Sequence, residues 1–395
     1  MLFRSQALQG NIDLHKNAPE AYVEYPAKAT GNDKFDAWPG INDWYETTKL
    51  NYGVDYMNGR AKHFHPTPDT WTKMRDILLF WASKKIDGFR CDMAEMVPAE
   101  FWGWVIPQIK EQYPEIIFIA EVYNPNEYRN YIFNGHFDYL YDKVGLYDTL
   151  RSLTCGNNSA TAIQYQWQNV SGIEKNMLNF LENHDEQRIA SDFFAGNGAK
   201  AIPAMIISAC MNTNPVMIYF GQEFGEPGMD SEGFSGCDGR TTIFDYWSVS
   251  SIRRWRNKDK FDGKNLTDEE KKLQSFYRTL LNLCNTEKAI RNGEFFDLTY
   301  ANLEGCSFNE HKQYAFLRKC DKDMILIVVN FDKAPATPHI KIPAHAFEYL
   351  GIPEKESYKT KELLTNKTDN ISISPDQSVQ VSLDGYGGIL LKISL

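Results

Sequence analysis

The chain has 395 residues, of which 43% are hydrophobic and 24% charged, and its formal net charge is −10. These values are ordinary for a globular chain with room for one large domain and a smaller one. The acidic balance disfavours nucleic acid or a polyanionic substrate, because neutralising phosphates needs a clustered basic surface and none is visible.

Residues 1–65 are polar, aromatic-rich and broken by Gly, Pro and Asn, which reads as loop-dominated structure. The spacing of Trp71, Met74, Leu78 and Trp81 predicts a helix over 67–85, with Thr67 as its cap and Pro68 in its first turn. A short strand ending at Asp92 follows, then a helix over about 99–112 carrying Pro107, then a strand ending at Glu121. Further strand candidates are 137–141, 177–181 and 216–220, with a helical pattern over 199–211. Alternation of this kind argues for a parallel α/β architecture. A helix over 268–285 closes that region. From about 293 the pattern becomes short strands (314–318, 324–330, 388–393) without convincing helices between them. The expected divisions are 1–65, 66–290 and 291–395.

The seven cysteines are widely spaced, with no Cys-x-x-Cys pair, so neither a disulfide framework nor a structural zinc site is expected. His63 and His65 share a strand face but lack neighbouring ligand types, so no metal site is assigned. No run of roughly 18 apolar residues is present, so no membrane span is expected. The N-terminus lacks the apolar core of an export signal.

Three acidic residues stand at or just beyond the ends of apolar runs: Asp92 in Ile-Asp-Gly-Phe-Arg-Cys-Asp, Glu121 in Ile-Ile-Phe-Ile-Ala-Glu, and Asp185 in Met-Leu-Asn-Phe-Leu-Glu-Asn-His-Asp. Apolar runs without alternation read as buried parallel strands, and carboxylates at their C-terminal ends gather on the rim where α/β barrels keep their active sites. Taken singly, each has a bland reading. Arg90 and Asp92 could form a structural ion pair, Glu121 could be a solvated strand end, and Asp185 could cap a helix.

Taken together and in order, the three segments resemble the α-amylase superfamily, glycoside hydrolase family thirteen. Gly88–Ala94 is similar to its second conserved region, Ile119–Glu121 to its third and Phe180–Asp185 to its fourth. The resemblance implies a TIM-type (β/α)8 barrel followed by a C-terminal antiparallel β-sandwich, and retaining chemistry on α-glucosidic bonds of starch or maltodextrin-type oligosaccharides. Asp92 would be the nucleophile and Glu121 the acid–base. Asp185 would bind ring hydroxyls, Arg90 would orient the nucleophile, His184 would donate to a sugar hydroxyl, and Tyr123 would offer a platform. Trp102, Trp104 and Phe224 are further platform candidates. Many α-amylases carry Lys-His three and four residues after the nucleophile; Glu95 and Met96 stand there, which puts a typical endo-amylase subsite in doubt.

The family's first conserved region, Asp-x-x-x-Asn-His, is absent, and only 85 residues precede Ile86. The expectation is therefore a barrel lacking its first three strands, opened by a remnant of the family's inserted loop domain, and impaired in activity. No cofactor is required by the chemistry. The family's structural calcium site would fall mostly in the missing part, as would any export signal, so compartment and oligomeric state stay open. A transglycosylase of the same superfamily and a non-catalytic carbohydrate-binding relative are the alternative readings.

Overall fold

The computed structural model describes residues 50–395 except 57, 232, 234, 235, 244–248, 304–306 and 376. Expectations for residues 1–49, including most of the loop-domain remnant, lie outside the described residues. The chain divides into two compact units, one of Met1–Val122 with Asn126–Asp138, the other of Tyr123–Pro125 with Tyr139–Leu395.

In the first unit, a small antiparallel pair (β1, Val54–Asp55; β2, Ala61–Lys62) precedes helix α1, Asp69–Ala82. Strand β3 (Gly88–Cys91), helix α2 (Ala99–Gln112), strand β4 (Ile117–Ala120) and helix α3 (Tyr128–Phe133) follow. β3 and β4 pair in parallel, with Gly88 opposite Ile117 and Cys91 opposite Ala120. A Cβ on Gly88 would lie 2.4 Å from the Ile117 carbonyl oxygen, so only glycine lets the two strands begin this close together. Phe101, Val105, Ile106 and Ile109 of α2 are buried, as is Phe118 of β4.

Helix α1 departs from its sequence reading in two ways. Pro68, rather than Thr67, is its N-cap, and no side chain caps it. Of the expected stripe, Trp71 is buried against Phe101 and Trp104, but Trp81 is 51% exposed, as are Ile77 at 48% and Phe80 at 54%. Helical periodicity identifies an apolar face; it does not say how far along the helix a neighbour covers it.

The second unit carries parallel strands β5 (Tyr139–Tyr141), β6 (Met177–Phe180) and β7 (Val216–Met217), paired in that order. Helices α4 (Asp148–Thr154) and α5 (Ala162–Asn169) join β5 to β6, and α6 (Ile202–Cys210) joins β6 to β7. Every residue from Pro203 to Cys210 is buried, because α6 is apolar all round and has neighbours all round. Helices α7 (Ser250–Arg256), α8 (Asp268–Thr286) and α9 (Lys288–Asn292) lead to the C-terminal strands.

Those strands form a six-stranded antiparallel sheet and a two-stranded one. In chain order they are β8 (Glu294–Asp297), β9 (Gln313–Cys320), β10 (Asp323–Asn330), β11 (His339–Lys341), β12 (Lys355–Glu362), β13 (Thr368–Ile373), β14 (Ser378–Gln380) and β15 (Gly387–Ser394). The large sheet runs β13-β12-β15-β10-β9-β8, and β11 pairs with β14. β10 is covered on both faces. Ile325, Ile327 and Val329 join α6 in one core, and Met324, Leu326 and Val328 join Ile340, Phe347 and Val379 in another.

Two features here correct the sequence reading. A helix, α10 (Ala344–Leu350), does lie between the C-terminal strands, burying Ala346, Phe347 and Leu350. β12, Lys-Glu-Ser-Tyr-Lys-Thr-Lys-Glu, buries only Tyr358 and Thr360 and is held by backbone pairing on both sides, so it has no apolar run to reveal it.

Two threonines beside helix starts, one capping and one not, give a differential test. Thr267 makes a full capping box on α8, accepting from Glu270 N at 3.2 Å while Glu270 accepts from Thr267 N at 2.7 Å. Thr267→Ala should cost about 1 kcal/mol of unfolding free energy. Thr67→Ala should stay within about 0.5 kcal/mol. Urea denaturation of both variants checks this, and equal losses would contradict the capping geometry.

Candidate active site

In the first unit, Asp92 and Glu121 are the residues immediately after β3 and β4. Because the strands pair in register and in parallel, the two carboxylates leave neighbouring strand ends at the same level, and Glu121 N donates to Cys91 O at 3.1 Å. One guanidinium joins them: Arg90 Nη1 pairs with Asp92 Oδ1, and Arg90 Nη2 lies 3.0 Å from Glu121 Oε2. The sequence assigned Arg90 to Asp92 alone. Its planar fork reaches both.

The environments of the two acids differ. The Asp92 side chain is 70% exposed and that of Glu121 only 4%. Glu121 Oε2 also accepts from the Met93 N–H at 2.9 Å. Met93 adopts a left-handed conformation (φ 45°), costly for a long side chain.

In the second unit, His184 and Asp185 lie in an irregular segment after β6. No helix starts at Asp185, so its capping reading fails. His184 Nε2 lies 3.2 Å from Asp185 Oδ2, each side chain being about a third exposed (35%). Asn183 Oδ1 accepts from both Asp185 N (2.9 Å) and Glu186 N (2.8 Å), an Asx-type turn that sets the backbone here.

Beneath that turn sits a group that sequence reasoning missed. Glu182 and Arg188 are 1% and 0% exposed, and Arg188 Nη1 donates to Glu182 Oε2 at 2.7 Å. Glu182 Oε1 takes the Ile189 N–H at 2.6 Å, and Thr241 Oγ1 takes Arg188 Nε and Nη2 at 3.1 and 2.8 Å. The guanidinium also stacks 4.2 Å from the Tyr219 ring centroid. Burial pushes the Glu182 carboxyl up, and Arg188 pulls it back. The pair staples both ends of the segment bearing His184 and Asp185. The available signal was two opposite charges flanking Asn-His-Asp at a buried strand end.

The Gly-rich stretch 221–239 and its continuation pin the same segment. Gly239 O accepts Arg188 N at 2.7 Å, and Arg240 Nε donates to Asp185 O. Gly239 has φ 82°, and a Cβ there would lie 2.8 Å from Ser191 Oγ, so glycine is required for this approach. On the other side, Glu186 meets Tyr147 Oη at 3.0 Å and Arg151 at 3.3 Å.

Tyr123 belongs to the second unit and is half-buried. Among the other aromatic candidates, Trp102 and Phe224 are buried at 7% and 4% exposure, and Trp104 packs on Trp71, so these three are packing residues. Among the described residues, no group of three or more His, Cys, Asp or Glu side chains is placed to hold a metal ion. No described helix is long and apolar enough to cross a membrane.

Comparison with known proteins bears on the family and the fold. The family model described as the alpha amylase catalytic domain matches residues 35–289. A cyclomaltodextrinase from a Bacillus species is 24% identical over 277 residues, covering 68% of this chain and 43% of that protein. An alpha-1,4-glucan:maltose-1-phosphate maltosyltransferase from Cereibacter sphaeroides is 22% identical over 307 residues, covering 76% and 40%. The chain thus spans less than half the length of these curated relatives. Among solved structures, an alpha-amylase from Geobacillus thermoleovorans complexed with acarbose superimposes with a TM-score of 0.62 at 17% identity, covering 85% of this chain and 66% of that one. At that identity the likeness is one of fold: an α-amylase catalytic-domain fold carrying a C-terminal antiparallel sheet.

Two outcomes follow from the buried groups. Arg188→Met strands the Glu182 carboxylate and should cost about 3–5 kcal/mol, whereas Glu182→Leu/Arg188→Met should recover most of it, measured by urea unfolding. Asp142, buried just after β5, has its carboxyl raised by burial from 3.8 to about 6. The folded state therefore holds a proton that the unfolded chain has lost, so Asp142's contribution to stability is present below about pH 4 and is lost as pH rises through about 6. Asp142→Asn should flatten that part of the stability–pH curve; an unchanged slope would refute the assignment.

Proposed function

Because the chain belongs to the alpha-amylase catalytic-domain family, we propose that it is a retaining glycoside hydrolase acting on α-glucosidic bonds of starch or maltodextrin-type oligosaccharides. The observation that carries the reading is the pairing of Asp92 and Glu121 through the single guanidinium of Arg90.

Retaining hydrolysis needs two carboxyl groups only about 5–5.5 Å apart, one to attack the anomeric carbon and one to serve the leaving oxygen. That one guanidinium engages both side chains supports such a spacing. The exposed Asp92 carboxylate is the nucleophile. It forms a glycosyl-enzyme as the glycosidic bond breaks, while Glu121 delivers a proton to the departing oxygen. Glu121 then removes a proton from water, which attacks the anomeric carbon and frees Asp92. Arg90 keeps Asp92 oriented and lowers the cost of the charge that returns to it in the second step. Asp185 and His184 take the ring hydroxyls, and the Glu182–Arg188 staple holds their turn in one conformation. Tyr123, two residues after Glu121, is assigned a sugar-facing role.

A second reading, an α-glucan transglycosylase, uses the same residues with a sugar hydroxyl in place of water. It is favoured by the maltosyltransferase among the similar proteins and by Glu95 and Met96 standing where many α-amylases have Lys-His. A purely carbohydrate-binding role would have no need for the full acidic set.

Glu121→Gln should lower turnover of maltooligosaccharides by about 10²–10⁴-fold. Asp92→Ala should abolish turnover while leaving oligosaccharide binding largely intact; persisting turnover would remove Asp92 from the mechanism. Counting reducing ends released from maltopentaose separates the two readings, since disproportionation without net release points to transfer.

A further inference from the structure

The turn that follows Asp92 is gripped by three aromatic side chains of the first unit. It is a single helical turn, Ala94–Met96, too short to hold its own shape, and it starts from the strained backbone of Met93. Each carbonyl from Ala94 to Val97 nevertheless meets a side-chain donor. Trp102 Nε1 donates to Ala94 O at 3.2 Å, and Tyr56 Oη donates to Met96 O at 3.1 Å. Tyr131 Oη shares its proton between Glu95 O at 3.1 Å and Val97 O at 2.9 Å. The three donors come from separate elements: Tyr56 follows β1, Trp102 lies on α2 and Tyr131 on α3.

Tyr131 carries the largest share of the grip. It is 4% exposed, and its ring and that of Trp102 both pack on Phe137, with centroids 6.3 and 5.0 Å away. Burial pushes its phenol up, so the proton that these bonds need stays in place. The buried hydroxyl is satisfied by the turn, and the turn's carbonyls by the hydroxyl.

What the grip fixes is the amide at the start of the turn. Met93 O accepts Met96 N at 2.9 Å, so Met93 is part of the hydrogen-bonded turn. Its own N–H donates to Glu121 Oε2 at 2.9 Å, the oxygen that Arg90 Nη2 also meets at 3.0 Å. Two donors on one oxygen set the rotation of a carboxyl group, and they leave the proton that an acid delivers to the other oxygen, here Oε1. Arg90 is a long side chain shared with Asp92. The Met93 amide is backbone, and is only as well placed as the turn that follows it.

We propose that Tyr131, assisted by Tyr56 and Trp102, is a positioning residue for the acid–base: by holding the turn over 94–97 it keeps the Met93 amide on Glu121 and so aims the Glu121 proton at the departing sugar oxygen. The reaction served rests on the hydrolase reading above; the grip on the turn does not.

The test compares two substrates in the full chain. Maltotetraose needs a proton on its leaving oxygen. The fluoride of α-maltosyl fluoride instead departs as the anion when Asp92 attacks, taking the bonding electron pair and no proton. General acid–base work is worth about 10²–10⁴-fold, and an acid displaced rather than removed should lose about tenfold of it. Tyr131→Phe keeps the ring and deletes the donor. It should lower kcat/KM for maltotetraose about tenfold and leave that for α-maltosyl fluoride within about twofold. Tyr56→Phe, at a part-buried ring that meets one carbonyl of the turn, should show the same selective loss in smaller measure. It keeps the test decisive if Tyr131→Phe fails to fold. Hydrogen–deuterium exchange over 93–97 should quicken in both variants. Equal losses on the two substrates, or exchange that does not change, overturns the proposal. Failure of the hydrolase reading looks different: the unmodified chain would turn over neither substrate, and exchange would then judge the grip by itself.

Discussion

A single arginine side chain lying across two carboxylates is the constraint on which the geometry of the candidate active site depends. Arg90 can reach both Asp92 and Glu121 only because β3 and β4 are parallel and in register, so that their last residues end level. That register depends in turn on Gly88, whose missing Cβ lets the start of β3 approach the Ile117 carbonyl. A shift of one residue in either strand would turn every side chain to the opposite face and separate the acids. Met93 then contributes a strained backbone N–H to the more buried of the two. Strain of this kind persists only where surrounding structure over-determines it.

The second unit meets the same requirement by other means. Its sugar-binding candidates sit on an irregular segment, where backbone alone does not define a conformation. A buried ion pair, an Asx turn and two flanking loops supply the definition instead. Such a pair is a poor way to gain stability, since well-packed apolar side chains in its place are often as stable or more so. Its directional bonds, however, leave Glu182 and Arg188 one mutual arrangement, and the chain between them inherits it. For the Asp185 turn, that is a gain in precision rather than in free energy.

Strand β10 plays the corresponding structural part further along. Its alternating residues feed two separate cores, one shared with α6 and one with β11, β14 and α10. The C-terminal sheet is therefore more than an appendage to the residues before 290: one of its faces completes the apolar surroundings of α6. Arg318, on the adjacent strand, reaches from the sheet to the helix ends at Cys210 and Ile290.

The primary structure by itself determined the parallel α/β character, the positions of Asp92 and Glu121 at strand ends and the order of the acidic segments, because apolar runs and charged termini are local properties of the chain. It also located β9, β10 and β15, each of which carries a short apolar run. It could not disclose β12, whose polar residues are held by neighbours on both sides, nor the extent to which α1 is covered. The double engagement of Arg90, the Glu182–Arg188 staple and the grip of Gly239 and Arg240 on the Asp185 segment were decided by tertiary structure alone. Each joins residues through space, and hydrogen-bond partners of that kind leave no periodicity or spacing to read.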